Sequence, residues 1–354
     1  MKAILIPEPG KIEIREVPMP VRKKGEALLK VLYGGICGSD LGSYRGTFAY
    51  FEYPRIPGHE FSAEIVEIDS NNQGLERGMV VTANPYFNCG SCYACQNGLV
   101  NACMDNQTMG CQRDGAFCEY ITMPVERIYS GKGISAKALA VVEPYCIGHH
   151  GVSRAQVRAG QKVLVVGGGT IGLMAAIAAK THGAQVYLCD VPQAEKKLRR
   201  SQSTFGFDGI LFNEGPVAMR EATQRLTGVA RFAAGEQPNG FDVCIEAVGL
   251  PETFQTCIDC AAFGDTIAVI GVGKQNLDFN FTAIQKKELK VFGSRNAMRQ
   301  DFLDAIEAVR RGELDLEKII TNVYAFEEAA QAFSDFNAMR GEMIKVLIDF
   351  TTMA

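Results

Sequence analysis

The chain lacks any apolar run of membrane-spanning length; the longest candidate, around Leu173 to Ala179, ends at Lys180. It has no excess of positive charge either. With 36 Lys and Arg against 40 Asp and Glu, the net charge of −4 argues against a broad nucleic-acid-binding face. The N-terminal Met1-Lys2-Ala3-Ile4-Leu5 gives way within a few residues to the polar stretch Glu8 to Lys11, so the apolar core of a secretion signal is missing. Internal repeats and low-complexity linkers are absent as well. These absences point to a cytoplasmic globular protein with neither a membrane nor a nucleic acid as partner. At 354 residues it exceeds the size at which one hydrophobic core usually stops growing, so two domains are expected.

Disulfides are a further expected absence. Twelve cysteines in a chain large enough to have an adequate core do not read as a scaffold of bridges. Cys189, Cys244 and Cys257 lie in apolar strand or helix contexts, where a thiol acts as a small hydrophobe. Cys89-x-x-Cys92-x-x-Cys95 followed by Cys103 is different, because four thiols that close can surround one metal ion. With no position left for water, such a site is structural, and zinc is the expected ion. An iron–sulfur cluster and a metal-free surface cluster are the competing uses.

What is present divides the chain near residue 145. Before it, alternation through Ala3 to Ile6, Ile12 to Ile14 and Glu26 to Val31, broken by Gly and Pro, predicts an all-β unit. After it, Val163 to Val166 reads as a buried parallel strand, followed by a glycine-rich turn, an alanine-rich helix to Thr181 and a second strand Gln185 to Cys189. Further strands are expected at Gly209 to Phe212, Asp242 to Glu246, Thr266 to Ile270 and Leu289 to Phe292, with a helix starting at Pro251. That rhythm predicts a doubly wound parallel sheet. The tail carries helical stretches Phe302 to Arg311 and Glu327 to Phe336 and a closing strand Ile344 to Ile348.

The turn is Gly167-x-Gly169-x-x-Gly172, in the strand-to-helix context that gives this motif meaning. The first glycine permits the tight turn, the second a close approach to a pyrophosphate, and the third close packing of helix on strand. The pyrophosphate would rest on unpaired amides at the helix N-terminus, where Thr170 and Ile171 stand. Asp190, at the end of the second strand, can bond both ribose hydroxyls and would repel a 2′-phosphate, so NAD is favoured over NADP. Val248, Val269 and Gly271 lie where later strands end, the usual place of the nicotinamide pocket.

Other polar chemistry is concentrated in short loop-like segments: Gly35-Ile36-Cys37-Gly38-Ser39-Asp40, Pro57-Gly58-His59-Glu60, and Glu143-Pro144. Spacing alone does not join residues so far apart. Together with the cysteine loop, the glycine motif and Ile344-Lys345-Val346, however, they resemble the zinc-dependent medium-chain alcohol dehydrogenases, and among these the polyol (sorbitol) and threonine dehydrogenases. The resemblance implies an α/β protein: a GroES-like β-rich catalytic domain of residues 1–145 completed by 293–354, and a Rossmann NAD-binding domain of residues 146–292. It implies two zinc ions. Cys37 and His59 match catalytic ligands, Glu60 the glutamate that ligates in the polyol branch, and Glu143 a nearby carboxylate that binds or relays to the metal. Asp40 matches a residue that orients His59. Ser39 is the expected contact of the substrate hydroxyl, and a homodimer or homotetramer the expected assembly.

Departures mark what is specific to this chain. Gly42 stands where many relatives have a proton-relaying histidine, and Ala63 and Asp69 replace common glycines. Tyr44, Arg45, Phe48, Tyr50 and Phe51 occupy the loop that shapes the substrate pocket in relatives, and Arg45 could pair with a substrate carboxylate. The expected reaction is hydride transfer between NAD and a secondary alcohol of a polyol, sugar acid or hydroxy-amino acid, a small polar alcohol or ketone in either direction. A zinc-free quinone or enoyl reductase and a non-enzymatic NAD-binding regulatory protein are the alternatives.

Overall fold

In the computed structural model, which describes residues 1–232, 235–278, 281–339 and 341–353, the chain forms two compact units. One comprises Met1–Glu143 and Ala297–Ala354, the other Pro144–Asn296.

The first unit is built on a seven-stranded sheet. Its strands run in the order Ile320–Ala325, Lys345–Asp349, Glu26–Ile36, Glu60–Glu67, Val80–Ala83 and Ile128–Ser130, with Tyr120–Pro124 also paired to Glu26–Ile36. Pairing is antiparallel throughout except between Ile320–Ala325 and Lys345–Asp349. Leu29, Val31, Ile36, Ala63 and Ile65 are wholly buried in a core that also takes in Phe326, Phe333 and Val346 from the C-terminal segment. The last strand lies between two others, so the N-terminal part of the chain cannot complete its sheet alone.

The second unit holds six parallel strands in the order Gly209–Phe212, Gln185–Asp190, Lys162–Val166, Phe241–Glu246, Ala261–Val269 and Lys290–Gly293. This is the doubly wound order in which the strand sequence reverses between Lys162–Val166 and Phe241–Glu246, and the crevice at that reversal receives ligands. Val163, Leu164 and Val165 are fully buried, as a strand covered on both faces requires. Cys189, Cys244 and Cys257 are buried in the same core, and burial drives the Cys189 and Cys257 thiols upward in pKa, away from reactivity.

Several elements differ from the sequence pattern. The tail helix spans Arg299–Arg310 rather than starting at Phe302, because the Asp301 carboxylate accepts the Met298 amide at 2.7 Å and caps an earlier turn. The next helix runs Ala329–Ala338, since Phe326–Glu328 forms a 3₁₀ turn in which Glu328 accepts the Ala325 amide. A hairpin of Val229–Phe232 and Gly235–Pro238, absent from the expected order, sits between the helix Pro216–Thr227 and the strand Phe241–Glu246.

The helix Pro251–Cys260 ends on a single cation. Lys287 Nζ donates to the carbonyls of Ile258, Asp259 and Ala261 at 2.8, 3.0 and 2.9 Å, satisfying groups that a helix terminus leaves open. Lys287→Met keeps the stem and removes these bonds, so denaturant unfolding should show a loss of about 2 kcal/mol. A loss below about 0.5 kcal/mol would mean that water replaces the cap.

Candidate active site

Three adjacent strands meet at one end of the first unit's sheet. Val346 pairs with Ile36 and Gly35 with Glu60, which brings Lys345, Cys37 and the His59-Glu60 pair together. Gly35 is required there, because a Cβ would lie 2.3 Å from Glu60 Oε2. One donor atom each from Cys37, His59 and Glu60 then lies within 4.8 Å of the others. His59 Nδ1 and Glu60 Oε1 are buried without a hydrogen-bond partner. Leaving such atoms bare costs about 1–3 kcal/mol each unless a ligand takes them.

The remaining oxygens are occupied. Glu60 Oε2 accepts from Lys345 Nζ at 2.5 Å, and the same ammonium donates to the Ile36 carbonyl at 3.1 Å. Glu143, also buried, accepts from the Tyr86 hydroxyl through Oε1. Burial alone would lower the His59 pKa, but Cys37, Asp40 and Glu143 raise it well above its usual value. Burial likewise lifts the Glu143 carboxyl to about 7, and the pull of burial on Lys345 is overcome by Glu60 and Cys37. The rises at His59 and Lys345 share a cause, the acidic groups crowded around one imidazole and one ammonium, whereas that at Glu143 comes first from burial. A divalent cation fits this donor set in charge as well as in geometry.

Asp40 acts differently from its expected role. Its carboxylate accepts the amides of Cys37 at 2.9 Å and Gly58 at 3.3 Å, so it ties the two ligand-bearing loops together through their backbones and does not hold the His59 ring. Ser39 stands half-buried on the helix Gly38–Tyr44, two residues beyond Cys37. On the same helix Gly42 is buried, and a Cβ there would lie 3.2 Å from Phe48 Cβ, so any side chain at this position requires Phe48 to give way.

The cysteine loop forms a lobe of its own. The donor atoms of Cys89, Cys92, Cys95 and Cys103 all lie within 4.8 Å of one another, with Cys103 Sγ at 3.5 Å from Cys89 and 3.8 Å from Cys92. Tetrahedral zinc–thiolate bonds would set sulfurs about 3.8 Å apart. Amides of Ser91 and Cys92 draw the Cys89 thiol down to about 6, whereas burial pushes Cys103 up to about 11. Four thiolates this close ionise together only around a cation.

In the second unit, the helix Thr170–Thr181 begins directly at the crevice, with Gly169 as its N-cap. Gly172 permits the turn: a Cβ there would meet Gly167 O at 1.7 Å. Asp190 Oδ2 accepts the Gly168 amide at 2.9 Å and Oδ1 accepts the Val191 amide at 2.8 Å, with Lys197 Nζ 3.6 Å away. The carboxylate thus sits beside the glycine turn, as a ribose contact requires. Val248, Val269 and Gly271 gather at the neighbouring strand ends, where Glu246 Oε1 accepts the amides of Val248 and Gly249 and the Thr253 hydroxyl. That buried carboxylate, which the sequence presented only as a strand terminus, anchors the loop.

The aromatic loop departs from expectation. Arg45 Nε donates to Asn337 Oδ1 at 2.7 Å, Tyr44 packs on Phe333, and Phe51 is buried beside Tyr53. Arg45 is built into the packing of the first unit, so its reading as a carboxylate partner gains no support; Phe48 and Tyr50 pack edge to face. Lys345 and Tyr86 were overlooked as site residues. Lys345 left a trace in the sequence, a lysine inside the apolar run Ile344 to Ile348; Tyr86 left none.

A parallel sheet with a glycine turn at its reversal point, and a separate β unit bearing one open and one closed donor set, define a two-domain, metal-dependent dinucleotide oxidoreductase. Residues 23–132 match the family model for the alcohol dehydrogenase GroES-like domain, and residues 170–311 that for zinc-binding dehydrogenases. The L-galactonate-5-dehydrogenase of Escherichia coli is 31% identical over 350 residues, 99% of each chain. A sorbitol dehydrogenase of Halalkalibacterium halodurans is 30% identical over 342 residues, 96% of each. The crystal structure of RspB from Escherichia coli, complexed with NADH, superposes with a TM-score of 0.87 at 28% identity over 99% of both chains. The chain belongs to the zinc-type medium-chain alcohol dehydrogenase superfamily, in its polyol and threonine dehydrogenase branch. It is an oxidoreductase of the zinc-dependent, NAD-linked kind that this family comprises.

Two substitutions check this geometry. Gly172→Ala should weaken NADH binding, read by fluorescence titration, by at least about tenfold, because the turn must open to admit the methyl group. Lys345→Met leaves Glu60 buried and unpaired, so the chelator-treated protein should lose about 3–5 kcal/mol in denaturant unfolding. An effect under about 1 kcal/mol would show that the pair sets position and adds little stability.

Proposed function

We propose that this protein oxidises the secondary alcohol of a polyol, sugar acid or hydroxy-amino acid with NAD, and reduces the corresponding ketone in reverse. The observation that carries this reading is the pair of orphaned donors, His59 Nδ1 and Glu60 Oε1, buried beside Cys37. In it Cys37, His59 and Glu60 hold the catalytic zinc with Glu143 alongside, and Cys89, Cys92, Cys95 and Cys103 hold a structural zinc. Zinc in the open cage supplies a Lewis acid that acidifies an alcohol hydroxyl, and NAD supplies the hydride acceptor.

The chain's own residues do the rest. Ser39 Oγ, on the first turn after Cys37, accepts a hydrogen bond from the substrate hydroxyl and passes its own proton on through the cofactor ribose to water, so that it ends neutral. Asp40 keeps the Cys37 and His59 loops in register. Gly167, Gly169, Thr170, Ile171 and Gly172 cradle the pyrophosphate, Asp190 holds the adenosine ribose and disfavours a 2′-phosphate, and Val248, Val269 and Gly271 line the nicotinamide pocket. A polar substrate suits a cage in which a second carboxylate stands where a thiolate would be less polar. The names of the relatives, an L-galactonate and a sorbitol dehydrogenase, support the same class. Zinc-free and non-enzymatic readings gain no support, since the donor set is intact. We place the protein in the cytoplasm as a homodimer or homotetramer. The family resemblance supports this assembly, as do the open edges of the parallel sheet at Gly209–Phe212 and Lys290–Gly293.

The test is NAD reduction measured across polyols, aldonates and β-hydroxy amino acids, with zinc content alongside. The purified protein should carry about two zinc per chain. Cys37→Ala should carry about one and lose turnover on every substrate that the parent oxidises. Activity that survives Cys37→Ala at full strength would sink the proposal.

A further inference from the structure

Two of the buried carboxylates at the cage, Glu60 and Glu143, each have one oxygen taken by a side-chain donor. For Glu60 it is Lys345 on Oε2, leaving Oε1 bare. For Glu143 it is the Tyr86 hydroxyl on Oε1, in surroundings where Tyr86 is 7% and Glu143 2% exposed. The two donors differ in kind: a cation supports the carboxylate that belongs to the three-donor set, and a neutral phenol holds the one that stands outside it.

Tyr86 is a fixed donor. Its amide donates to Asn84 Oδ1 at 2.9 Å, its carbonyl accepts from Arg127 Nη1, and it pairs with Thr108 across two short strands. Arg127 Nη2 also donates to Asn88 Oδ1 at 2.9 Å, and the guanidinium lies 4.6 Å from the centre of the Phe87 ring. One arginine therefore clamps residues 86 to 88, and the phenol reaches Glu143 from a segment that is held at both ends. A carboxylate buried beside a divalent cation binds it directly unless another donor holds it back. Pinned at Oε1, Glu143 has Oε2 alone to offer.

We propose that Tyr86 is a positioning residue of this site: its hydroxyl keeps Glu143 outside the metal's own ligand set, so that the fourth position stays open to the substrate hydroxyl. The proposal rests on the reading of Cys37, His59 and Glu60 as the catalytic cage. Without the phenol, Glu143 Oε1 loses its donor in a buried residue, and the strongest partner left for its charge is the metal.

The test uses Tyr86→Phe, which keeps the ring and its packing, in the zinc enzyme and in its cobalt-substituted form. The cobalt absorption that disappears in Cys37→Ala identifies the catalytic site, and Tyr86→Phe should shift that component. Metal release to a chelator should slow by about tenfold, and KM for the alcohol should rise by about tenfold while kcat changes less. Tyr86→Phe combined with Glu143→Gln should release metal within about twofold of the parent rate, because an amide does not compete for the ion. A Tyr86→Phe protein with lowered Tm but the parent's cobalt spectrum and release rate would overturn the proposal, leaving the tyrosine a packing residue. Should that variant fail to accumulate, Arg127→Met, which frees residues 86 to 88, must show the same spectral shift; an unchanged spectrum overturns the proposal equally. Failure of the underlying reading is separate: Cys37→Ala would then hold as much metal as the parent.

Discussion

The ion pair between Glu60 and Lys345 governs the first unit. At 2.5 Å, with both side chains essentially inaccessible, it is a charge pair taken fully out of water, and such pairs rarely stabilise more than the apolar residues that could replace them. Its value is positional. Lys345 engages one Glu60 oxygen and the Ile36 carbonyl, so the other Glu60 oxygen is left without a protein donor. Because Lys345 comes from the strand Lys345–Asp349 and Glu60 from the strand Glu60–Glu67, the same bond stitches the C-terminal segment to the N-terminal one across Glu26–Ile36. Gly35 gives way to make this contact, and every donor of the cage is placed relative to it.

The two donor sets show how the same ion can be given different tasks by its surroundings. The four-thiol lobe lies on a surface loop with Cys89 exposed, and its backbone amides point at sulfur. Four anionic donors around one ion complete the coordination, and what remains is a staple. The Cys37–His59–Glu60 set has three donors, two of them buried and Cys37 half-buried, and Glu143 beside it has one oxygen engaged by Tyr86. An incomplete set in acidic surroundings would leave a bound cation one open position and hence electrophilic.

Much of this was legible in the sequence, for identifiable reasons. The parallel sheet announces itself through runs such as Val163 to Val166, because a strand buried on both faces has no polar face to disguise it. The glycine turn and the cysteine loop are local, so spacing carries their geometry. Cys37 and His59 could be joined only through resemblance, since the strand register that unites them is non-local, and Glu143 comes from the helix Val142–Arg154. Asp40 was read as a partner of the His59 ring, but amide donors from two loops were closer at hand. For Arg45, the bond from Nε to Asn337 on the helix Ala329–Ala338 is likewise non-local and has no signal in the sequence. Tyr86 was out of reach altogether, because nothing about an aromatic residue after Asn84-Pro85 tells which buried carboxylate its hydroxyl will meet.

A lysine that completes a site 285 residues away from its glutamate raises the question of what the intervening unit costs. Closing a flexible loop of that length is unfavourable, but the penalty grows only with the logarithm of length. The second unit is folded so that its entry and exit lie together: Arg154 Nε donates to Gly293 O at 3.3 Å, and a Cβ on Gly151 would stand 3.7 Å from Ser294 Oγ. Once that unit has formed, the chain between Glu60 and Lys345 is effectively shortened by about half, which recovers only about 0.6 kcal/mol. Insertion of an entire dinucleotide-binding unit is therefore nearly neutral in closure entropy, as insertions with adjacent ends generally are. The decisive term is enthalpic and local. Until Lys345 arrives, Glu60 Oε2 has no donor, so the cage acquires its final electrostatic form only when the last strand docks beside Glu26–Ile36.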